Sequence, residues 1–228
     1  MKNANRNAKN AKPLRSSKTC EAILNAAERL FARRNIGSVS IREITAAANV
    51  NVSAVNYHFG TKQELVKTVF LRRLDPLDQR RLELLDAAEN EAMKRGESPS
   101  LETVLRALIQ PKVEQGWGGH RRRPFLLLMG RSFIETDSEV DILLRQHAEK
   151  ARKRFETALL RAEPALSTKA ELQWKMHFMM GTLHHSLLVC GRVNQKKIRG
   201  ARCFDTEEYM RQLILFLSAG FRTLFHSH

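Results

Sequence analysis

The residues from Asn51 to Lys62 bring together side chains whose chemistry suits the edges of DNA bases. If the stretch is a helix, one face is apolar because its residues recur at i, i+3 and i+7: Val52, Val55 and Phe59. The opposite face carries small or polar residues: Ser53, Ala54 and Tyr57. A hydroxyl can hydrogen-bond to a base edge or a phosphate, and an apolar group or ring edge can contact a thymine methyl. The pattern predicts a recognition helix for the major groove.

Both ends of this helix carry residues with strong terminal preferences. Asn51 can cap its start, and Gly60 suits the left-handed conformation that ends a helix. Thr61 and Glu64 have the spacing of a capping box for another helix. Because a helix of about two turns is too short to be stable alone, neighbouring helices must support its apolar face.

Two helices are predicted ahead of the recognition helix. The first opens at Ser17 or Thr19, and its segment ends at Gly37, with a buried stripe of Ile23, Leu24, Ala27, Leu30 and Phe31. The second starts with a capping box of Ser40 and Glu43, and its inward face consists of Ile41, Ile44 and Ala48. Three short helices joined by turns of a few residues, the third facing outward, form a helix-turn-helix.

Side chains around the recognition helix extend the predicted DNA-contacting surface. Arg42 can reach guanine or a phosphate, and Asn56 can pair with adenine. Lys62 and the free N–H groups that open the following helix can hold a phosphate. The complete predicted set is Ser40, Arg42, Val52, Ser53, Ala54, Asn56, Tyr57, His58 and Lys62. The alternative is a solvated polar face.

Several motifs occur in order along this region: Ala26-Ala27, Leu30-Phe31, Gly37, Ile44-Thr45-Ala46-Ala47-Ala48, and Tyr57-His58-Phe59 with Lys62 and Leu65. In this order they resemble the N-terminal DNA-binding domain of the TetR family of bacterial transcriptional regulators. The resemblance implies that Tyr57 and His58 contact the DNA backbone, that the protein is a homodimer, and that it represses transcription. Asn56 stands where many family members carry Tyr, which bears on the bases that are read and not on the fold.

The positive net charge of the chain indicates that it binds a polyanionic partner. The 228-residue chain has a net charge of +15, with 39 Lys or Arg against 24 Asp or Glu. Up to Leu74 there are 14 basic and 4 acidic residues, so most of the excess lies in the N-terminal third. Residues 1–18 are basic and rich in Asn and Ala, and we expect a disordered arm there that either contacts phosphates or only aids solubility.

The remainder of the chain reads as further helices with no strand pattern, about nine helices in all. We therefore predict an all-α protein with a helix-turn-helix domain at 19–74 and a helical effector-binding and dimerisation domain at 75–228. Pro76 predicts a kink or break near Asp75, and the next helix is expected to fade at Pro111. A flexible loop is expected at 116–119, followed by an all-apolar, buried helix that starts at Pro124 and includes Phe133 and Ile134.

Arg131 is the most informative residue of the second domain, because it lies in that otherwise apolar helix. A buried cation needs a partner, which is either Glu135 one turn away or an anionic ligand. The segment WKMHFMMG, from Trp174 to Gly181, resembles the effector domain of fatty-acid-responsive repressors of the PsrA type. That resemblance implies a fatty acid or acyl-CoA effector, with candidate contacts at Leu105, Phe125, Met129, Arg131, His147 and Phe178.

The last two long helices carry apolar residues on more than one side. One stripe of the final helix consists of Met210, Leu213, Ile214, Leu217 and Phe221, and Leu215, Phe216 and Leu224 widen it. Small residues such as Gly181 and Gly220 would allow close helix approach. We expect these helices to form a four-helix interface in a homodimer; the alternative is a wide core within one chain.

No catalytic or metal-binding pattern is apparent in the sequence. The three cysteines are widely spaced and Cys190 has no evident base, which predicts free thiols in the cytoplasm and no enzyme. His177 and His184 could face together but lack further ligands, so no metal or other cofactor is expected, and no apolar run is long enough for a membrane. A sequence-independent architectural DNA-binding protein and a helical lipid-binding enzyme remain the alternatives to a ligand-responsive regulator that binds a palindromic operator.

Overall fold

Three short helices form the N-terminal part of the protein in a computed structural model: α1 (Lys18–Phe31), α2 (Ile41–Ala48) and α3 (Val52–Phe59). The structure describes residues 18–117, 123–132, 138–166, 168–193 and 205–223. All three helices contact one another. Their shared core consists of Ile23, Leu24, Ala27, Phe31, Ile44, Val55 and Phe59, all buried. The predicted helix-turn-helix is confirmed.

Two helices that each contain a proline follow: α4 (Lys62–Lys94) and α5 (Leu101–Trp117). The expected end at Pro111 is wrong and α4 is not broken near Asp75, because each helix continues through its proline. The alternative of a kink near Asp75 stays a prediction. A proline removes one helical hydrogen bond and crowds the preceding turn. Leu74 and Leu77 flank Pro76 and are buried, as are Leu108 and Val113 around Pro111. The burial of these side chains offsets the energetic cost of the proline in each helix.

The rest of the described chain forms four helices: α6 (Arg123–Ser132), α7 (Ser138–Ala162), α8 (Lys169–Val193) and α9 (Thr206–Arg222). The all-α prediction is confirmed, since the described ranges contain nine α-helices and no strand. Gly116 and Trp117 belong to the end of α5 and not to a loop, which corrects the sequence prediction. Phe133 and Ile134, predicted as part of α6, lie outside the described residues.

The described residues divide into two compact units at Val69–Phe70. The sequence-based boundary was Leu74. In the second unit, α5 contacts α7, α8 and α9. The fully buried side chains at its centre include Leu101, Leu105 and Ile109 of α5 and Phe155 and Leu159 of α7. This unit is therefore a helical bundle around α5.

Polar contacts fix the end of α9 in this bundle. The buried Lys175 ammonium of α8 donates to the carbonyl oxygens of Phe221 at 2.6 Å and Thr223 at 2.5 Å, and it pairs with Glu171 at 3.1 Å. A cation is favourable at a helix C-terminus because it satisfies the last carbonyl groups and the helix dipole. No helix in the described ranges combines the length and apolarity needed to cross a membrane.

Candidate nucleic-acid interface and effector-binding region

The second helix of the helix-turn-helix starts with a complete capping box. The backbone N–H of Ser40 donates to Glu43 Oε2 at 2.7 Å, and the backbone N–H of Glu43 donates to Ser40 Oγ at 3.2 Å. The Ser40 hydroxyl also donates to Glu43 Oε2 at 2.8 Å. The predicted capping role is thus confirmed, and the Ser40 side chain, a predicted DNA contact, is already engaged within the protein.

Glu43 holds together the start of α2 and the turn before it. Arg34 Nη1 lies 2.5 Å from Glu43 Oε1, and Arg34 Nη2 donates to the carbonyl oxygen of Ser38 at 2.8 Å. The backbone N–H of Ser40, followed by the Arg34 guanidinium, lowers the pKa of Glu43 to about 2. Glu43 is therefore ionised at neutral pH.

The turn between α2 and α3 depends on one residue in a left-handed conformation. Asn49 has φ 54° and ψ 49°, and its N–H donates to the carbonyl oxygen of Ala46 at 3.2 Å. Val50 N–H then donates to the carbonyl oxygen of Thr45 at 3.0 Å. Asn is one of the few non-glycine residues that adopt this conformation readily. The sequence contained this signal, but our sequence analysis did not assign it a role.

Asn51 begins α3 as predicted, since its Oδ1 accepts the Ser53 N–H at 3.0 Å. Val55 and Phe59 are buried, but Val52 is 40% exposed, so the predicted three-residue apolar face holds only at two positions. Val52 lies in the first turn, beyond the part of α3 that packs on the core. Its exposure leaves it on the accessible surface with the other predicted DNA contacts.

The outward face of α3 is open to solvent. Tyr57 is 75% exposed, Ser53 and Asn56 are exposed, and Ala54 is half-buried. The Tyr57 ring packs edge-on against the half-buried His58 ring, with centroids 5.1 Å apart. Arg42 of α2 is exposed as well. The structure thus leaves hydroxyl, amide and guanidinium groups accessible on adjacent helices.

The junction between α3 and α4 positions the remaining predicted cation. Gly60 has φ 73°, which a residue with a side chain would adopt only with strain. Thr61 Oγ1 accepts the Glu64 N–H at 3.1 Å, which confirms one half of the predicted capping box. Lys62 Nζ donates to the carbonyl oxygen of Gly37 at 3.2 Å, so its ammonium lies beside the α1–α2 turn.

The six predicted effector contacts occupy different environments in the second unit. Leu105, Phe125 and Met129 are buried, whereas Arg131 is only half-buried and Phe178 is exposed. The premise that Arg131 is a fully buried cation is therefore wrong, and its suggested partner Glu135 lies outside the described residues. His147 is half-buried, with Nε2 3.3 Å from Asp78 Oδ2 and Nδ1 3.6 Å from Asp75 Oδ1.

A cleft of about 240 Å³ lies along the contact between α4 and α5. Its lining combines prolines, guanidinium groups and amide or carboxylate side chains: Arg72, Arg73, Pro76, Leu77, Arg80, Pro111, Glu114 and Gln115. None of the six predicted effector contacts is among these residues. The prolines that were expected to end helices instead line this cleft.

A buried polar cluster, of which only His147 was a predicted effector contact, lies elsewhere between α4, α5, α7 and α8. It consists of Asp78, Arg81, Lys112, His147 and His184. The residues are up to 106 positions apart in the chain, so no local spacing could have revealed them.

Apolar side chains are exposed on the last two helices. Trp174 and Phe178 of α8 stack with ring centroids 5.9 Å apart, and Leu215 and Phe216 of α9 are also exposed. The predicted stripe from Met210 to Phe221 is instead buried within the chain. At Gly181 and Gly220 an added Cβ would meet nothing within 4 Å, so both helices are open to close approach there.

These features define a helical regulator with an N-terminal helix-turn-helix, and comparisons with known families agree. A family model described as "Bacterial regulatory proteins, tetR family" matches residues 23–69. A second, described as "Tetracyclin repressor-like, C-terminal domain", matches residues 106–220, which is just over half of the chain. The chain belongs to the TetR family.

Curated relatives match a short stretch of the chain. The HTH-type transcriptional repressor Rv3405c of Mycobacterium tuberculosis and the HTH-type transcriptional regulator Mb3439c of Mycobacterium bovis are each 46% identical over 57 residues. The match spans 25% of this chain and 30% of each relative's length. The chain thus spans less than a third of the length of these curated relatives.

Solved structures share the fold across both units. The fatty acid degradation regulator FadR from Bacillus halodurans has a TM-score of 0.57 at 14% identity, covering 90% of this chain and 96% of that one. A tetR-family transcriptional regulator from Streptomyces coelicolor has a TM-score of 0.52 at 19% identity, covering 89% and 79%. At these identities the similarity establishes the fold alone.

Proposed function

We propose that this TetR-family protein is a homodimeric transcriptional repressor that binds a palindromic operator and is released by a small effector. The observation that carries the proposal is the solvent-exposed face of α3. That face carries Ser53, Asn56 and Tyr57, on a helix anchored from behind by the buried Val55 and Phe59. A helix presented in this way fits the major groove, where hydroxyl and amide groups can read base edges.

The charge of the N-terminal region supports the same proposal. Basic residues exceed acidic ones by ten up to Leu74, and such an excess favours association with DNA phosphates. The Lys62 ammonium lies beside the α1–α2 turn, and the free backbone N–H groups that open α4 also favour an anion. We assign Lys62 and Tyr57 to backbone contacts, and Arg42, Ser53 and Asn56 to base contacts.

The exposed apolar faces of α8 and α9 support a homodimer. Trp174, Phe178, Leu215 and Phe216 are large apolar side chains left in solvent by the single chain. Large apolar side chains left in solvent favour an interface with another molecule, and two copies of the same two helices can cover each other around a two-fold axis. A two-fold dimer would present two copies of α3 to inverted half-sites.

Release by an effector requires that the ligand favour a conformation that binds DNA poorly, because a ligand indifferent to both states shifts no equilibrium. We place the effector in the second unit, among α4, α5, α7 and α8. Since α4 is a single helix whose residues belong to both units, a change at its C-terminal part can be transmitted to the DNA-binding helices.

A competitive gel shift tests sequence-specific binding. Labelled DNA from the promoter beside the gene is bound by the protein, and unlabelled promoter DNA or random DNA of equal length is added as competitor. We expect the promoter DNA to compete at least about 1,000-fold better, in line with specific regulators. Equal competition, together with an affinity that collapses with salt, would instead identify a sequence-independent architectural protein.

A further inference from the structure

The buried cluster between α4, α5, α7 and α8 contains more positive than negative charge. Lys112 is 4% exposed and Arg81 is largely buried, and the carboxylate nearest to Arg81 in the cluster is that of Asp78. Arg81 Nη1 lies 2.9 Å from Asp78 Oδ1, and the other Asp78 oxygen faces His147 Nε2 at 3.3 Å. Asp78 is thus already shared by Arg81 and His147, and Asp75 approaches His147 from the exposed side.

Lys112 has a neutral partner in place of a carboxylate. Its Nζ contacts Nε2 of His184, while His184 Nδ1 lies 2.9 Å from the carbonyl oxygen of Met180 and donates to it. This arrangement leaves Nε2 as an acceptor for the Lys112 ammonium. Burial, followed by the charge of Lys112, lowers the pKa of His184 to about 3, so the ring remains neutral. Among the described residues, no carboxylate forms an ion pair with Lys112.

Arg81 also has an unused donor. Its Nε donates to the carbonyl oxygen of Leu108 at 2.8 Å and its Nη1 pairs with Asp78, but Nη2 is buried without a hydrogen-bond partner. An unsatisfied buried donor and a buried cation without a counterion are both costly. Burial, followed by the charge of Arg81, holds the pKa of Lys112 well below its ordinary value.

We propose that this cluster is a binding site for a monoanion, and that Lys112 and Arg81 hold the carboxylate of an organic-acid effector. With Lys112 protonated, two cations against one aspartate leave a single positive charge, which one bound carboxylate neutralises. A carboxylate is also the acceptor that a guanidinium nitrogen and an ammonium prefer. The proposal rests on the proposed function for the role of the ligand as an effector, but not for the binding itself.

The surroundings of the site specify the rest of the ligand. Lys112 and His184 lie on helices whose neighbouring residues, including Leu105, Ile109 and Leu183, belong to the apolar core. Met176 and Met180 of α8 are partly buried against that core and can adapt to different shapes. The ligand class is therefore an acid with an apolar body, and the acid group contacts Lys112 rather than the half-buried Arg131.

Thermal-shift measurements and titration calorimetry on the full-length protein test this site. The probes are straight-chain carboxylates from butanoate to hexadecanoate, the primary alcohols of the same lengths, and octyl phosphate. We expect at least one carboxylate to raise Tm by about 5 °C at a hundredfold excess over its Kd, with no comparable rise for its alcohol or for octyl phosphate. A series in which no carboxylate binds, or in which the alcohol or the phosphate binds as well, would overturn the proposal.

Lys112→Met and the matched variant Lys175→Met separate ligand binding from a structural role. Lys175 is equally buried but has Glu171 and two carbonyl oxygens as partners. We expect Lys112→Met to keep or raise the Tm of the ligand-free protein while weakening carboxylate binding at least about 30-fold. Lys175→Met should lower Tm by roughly 6 °C or more. A Tm loss for Lys112→Met as large as that for Lys175→Met, or unchanged carboxylate affinity, contradicts the proposal.

The same ligands in the gel shift distinguish the two proposals. If a carboxylate binds through Lys112 but does not release promoter DNA, the anion-binding site is supported. Its proposed role as the effector site is then excluded. Release by a neutral ligand, with no carboxylate binding, keeps the regulator and overturns the anion site.

Discussion

At the scale of single residues, the helix-turn-helix separates side chains that build the fold from those left for DNA. Val55 and Phe59 are buried, and Asn51 and Ser40 are engaged in helix caps. Tyr57 is the largest side chain on the outward face. Because it makes little contact with the core, its replacement should affect DNA binding far more than stability.

Tyr57→Ala tests this assignment. We expect the Kd for promoter DNA to rise about 10- to 100-fold, because one phosphate or base contact is lost, while the far-UV circular dichroism and Tm stay unchanged. Met93→Ala is the matched control, since Met93 is 72% exposed and lies on α4 in the other unit. Fluorescence anisotropy with labelled promoter DNA measures both. Equal affinities for wild type and Tyr57→Ala would rule out a role for this residue.

At the scale of elements, short helices depend on their caps. α2 has 8 residues and its first turn relies on Ser40 and Glu43, so this cap supports the helix on which Arg42 lies. The carboxylate of Glu43 accepts the Ser40 N–H and pairs with Arg34 at once. The stability of this element should therefore depend on pH.

Glu43→Gln tests that dependence. The folded-state pKa of Glu43 is about 2, below its ordinary value of 4.5, so its contribution is present above about pH 4.5 and is lost as pH falls towards 2. We expect wild type to have a higher Tm than Glu43→Gln at pH 7, and the difference to disappear by about pH 2. Thermal unfolding of both proteins between pH 7 and pH 2 measures this difference in Tm. Other titrating groups are common to both proteins, so their effects cancel in the difference. A difference that does not change with pH contradicts the role of the charge.

The same elements show how far the sequence could predict the structure. Asn51, Ser40 and Gly60 act within a few residues of themselves, so their roles were evident from local spacing. Pro76 does not break α4 and Pro111 does not end α5, because the packing of Leu77 and Leu108 that retains the helices is tertiary and is not visible in the local sequence. Lys112 and His184 are 72 residues apart, and only the fold brings them together. Arg131 is half-buried and not fully buried, which also depends on tertiary packing, and its role as an effector contact stays a prediction.

At the scale of the whole molecule, the exposed apolar residues of α8 and α9 imply a partner. The buried stripe of α9 stabilises the single chain, while Leu215 and Phe216 on its other side remain exposed. A dimer through these faces would also explain why Trp174 and Phe178 stack in solvent on α8.

Phe216→Glu tests the dimer. Phe216 is 65% exposed, so the substitution leaves the core of the single chain intact, but it places a charge in the proposed interface. We expect light scattering to give the mass of a dimer, twice 26.1 kDa, for wild type and of a monomer for Phe216→Glu. Met93→Glu, equally exposed but on α4, should remain a dimer. A monomeric wild type, or a dimeric Phe216→Glu protein, would exclude this interface.

The central claim is that two copies of α3 read one operator. A hydroxyl-radical footprint of the full-length protein on the promoter beside its gene tests it most directly. We expect two protected segments of inverted sequence related by a two-fold axis, and loss of both in Tyr57→Ala at the protein concentration that just saturates the wild-type footprint. A single protected segment, or uniform protection that ignores sequence, would contradict it.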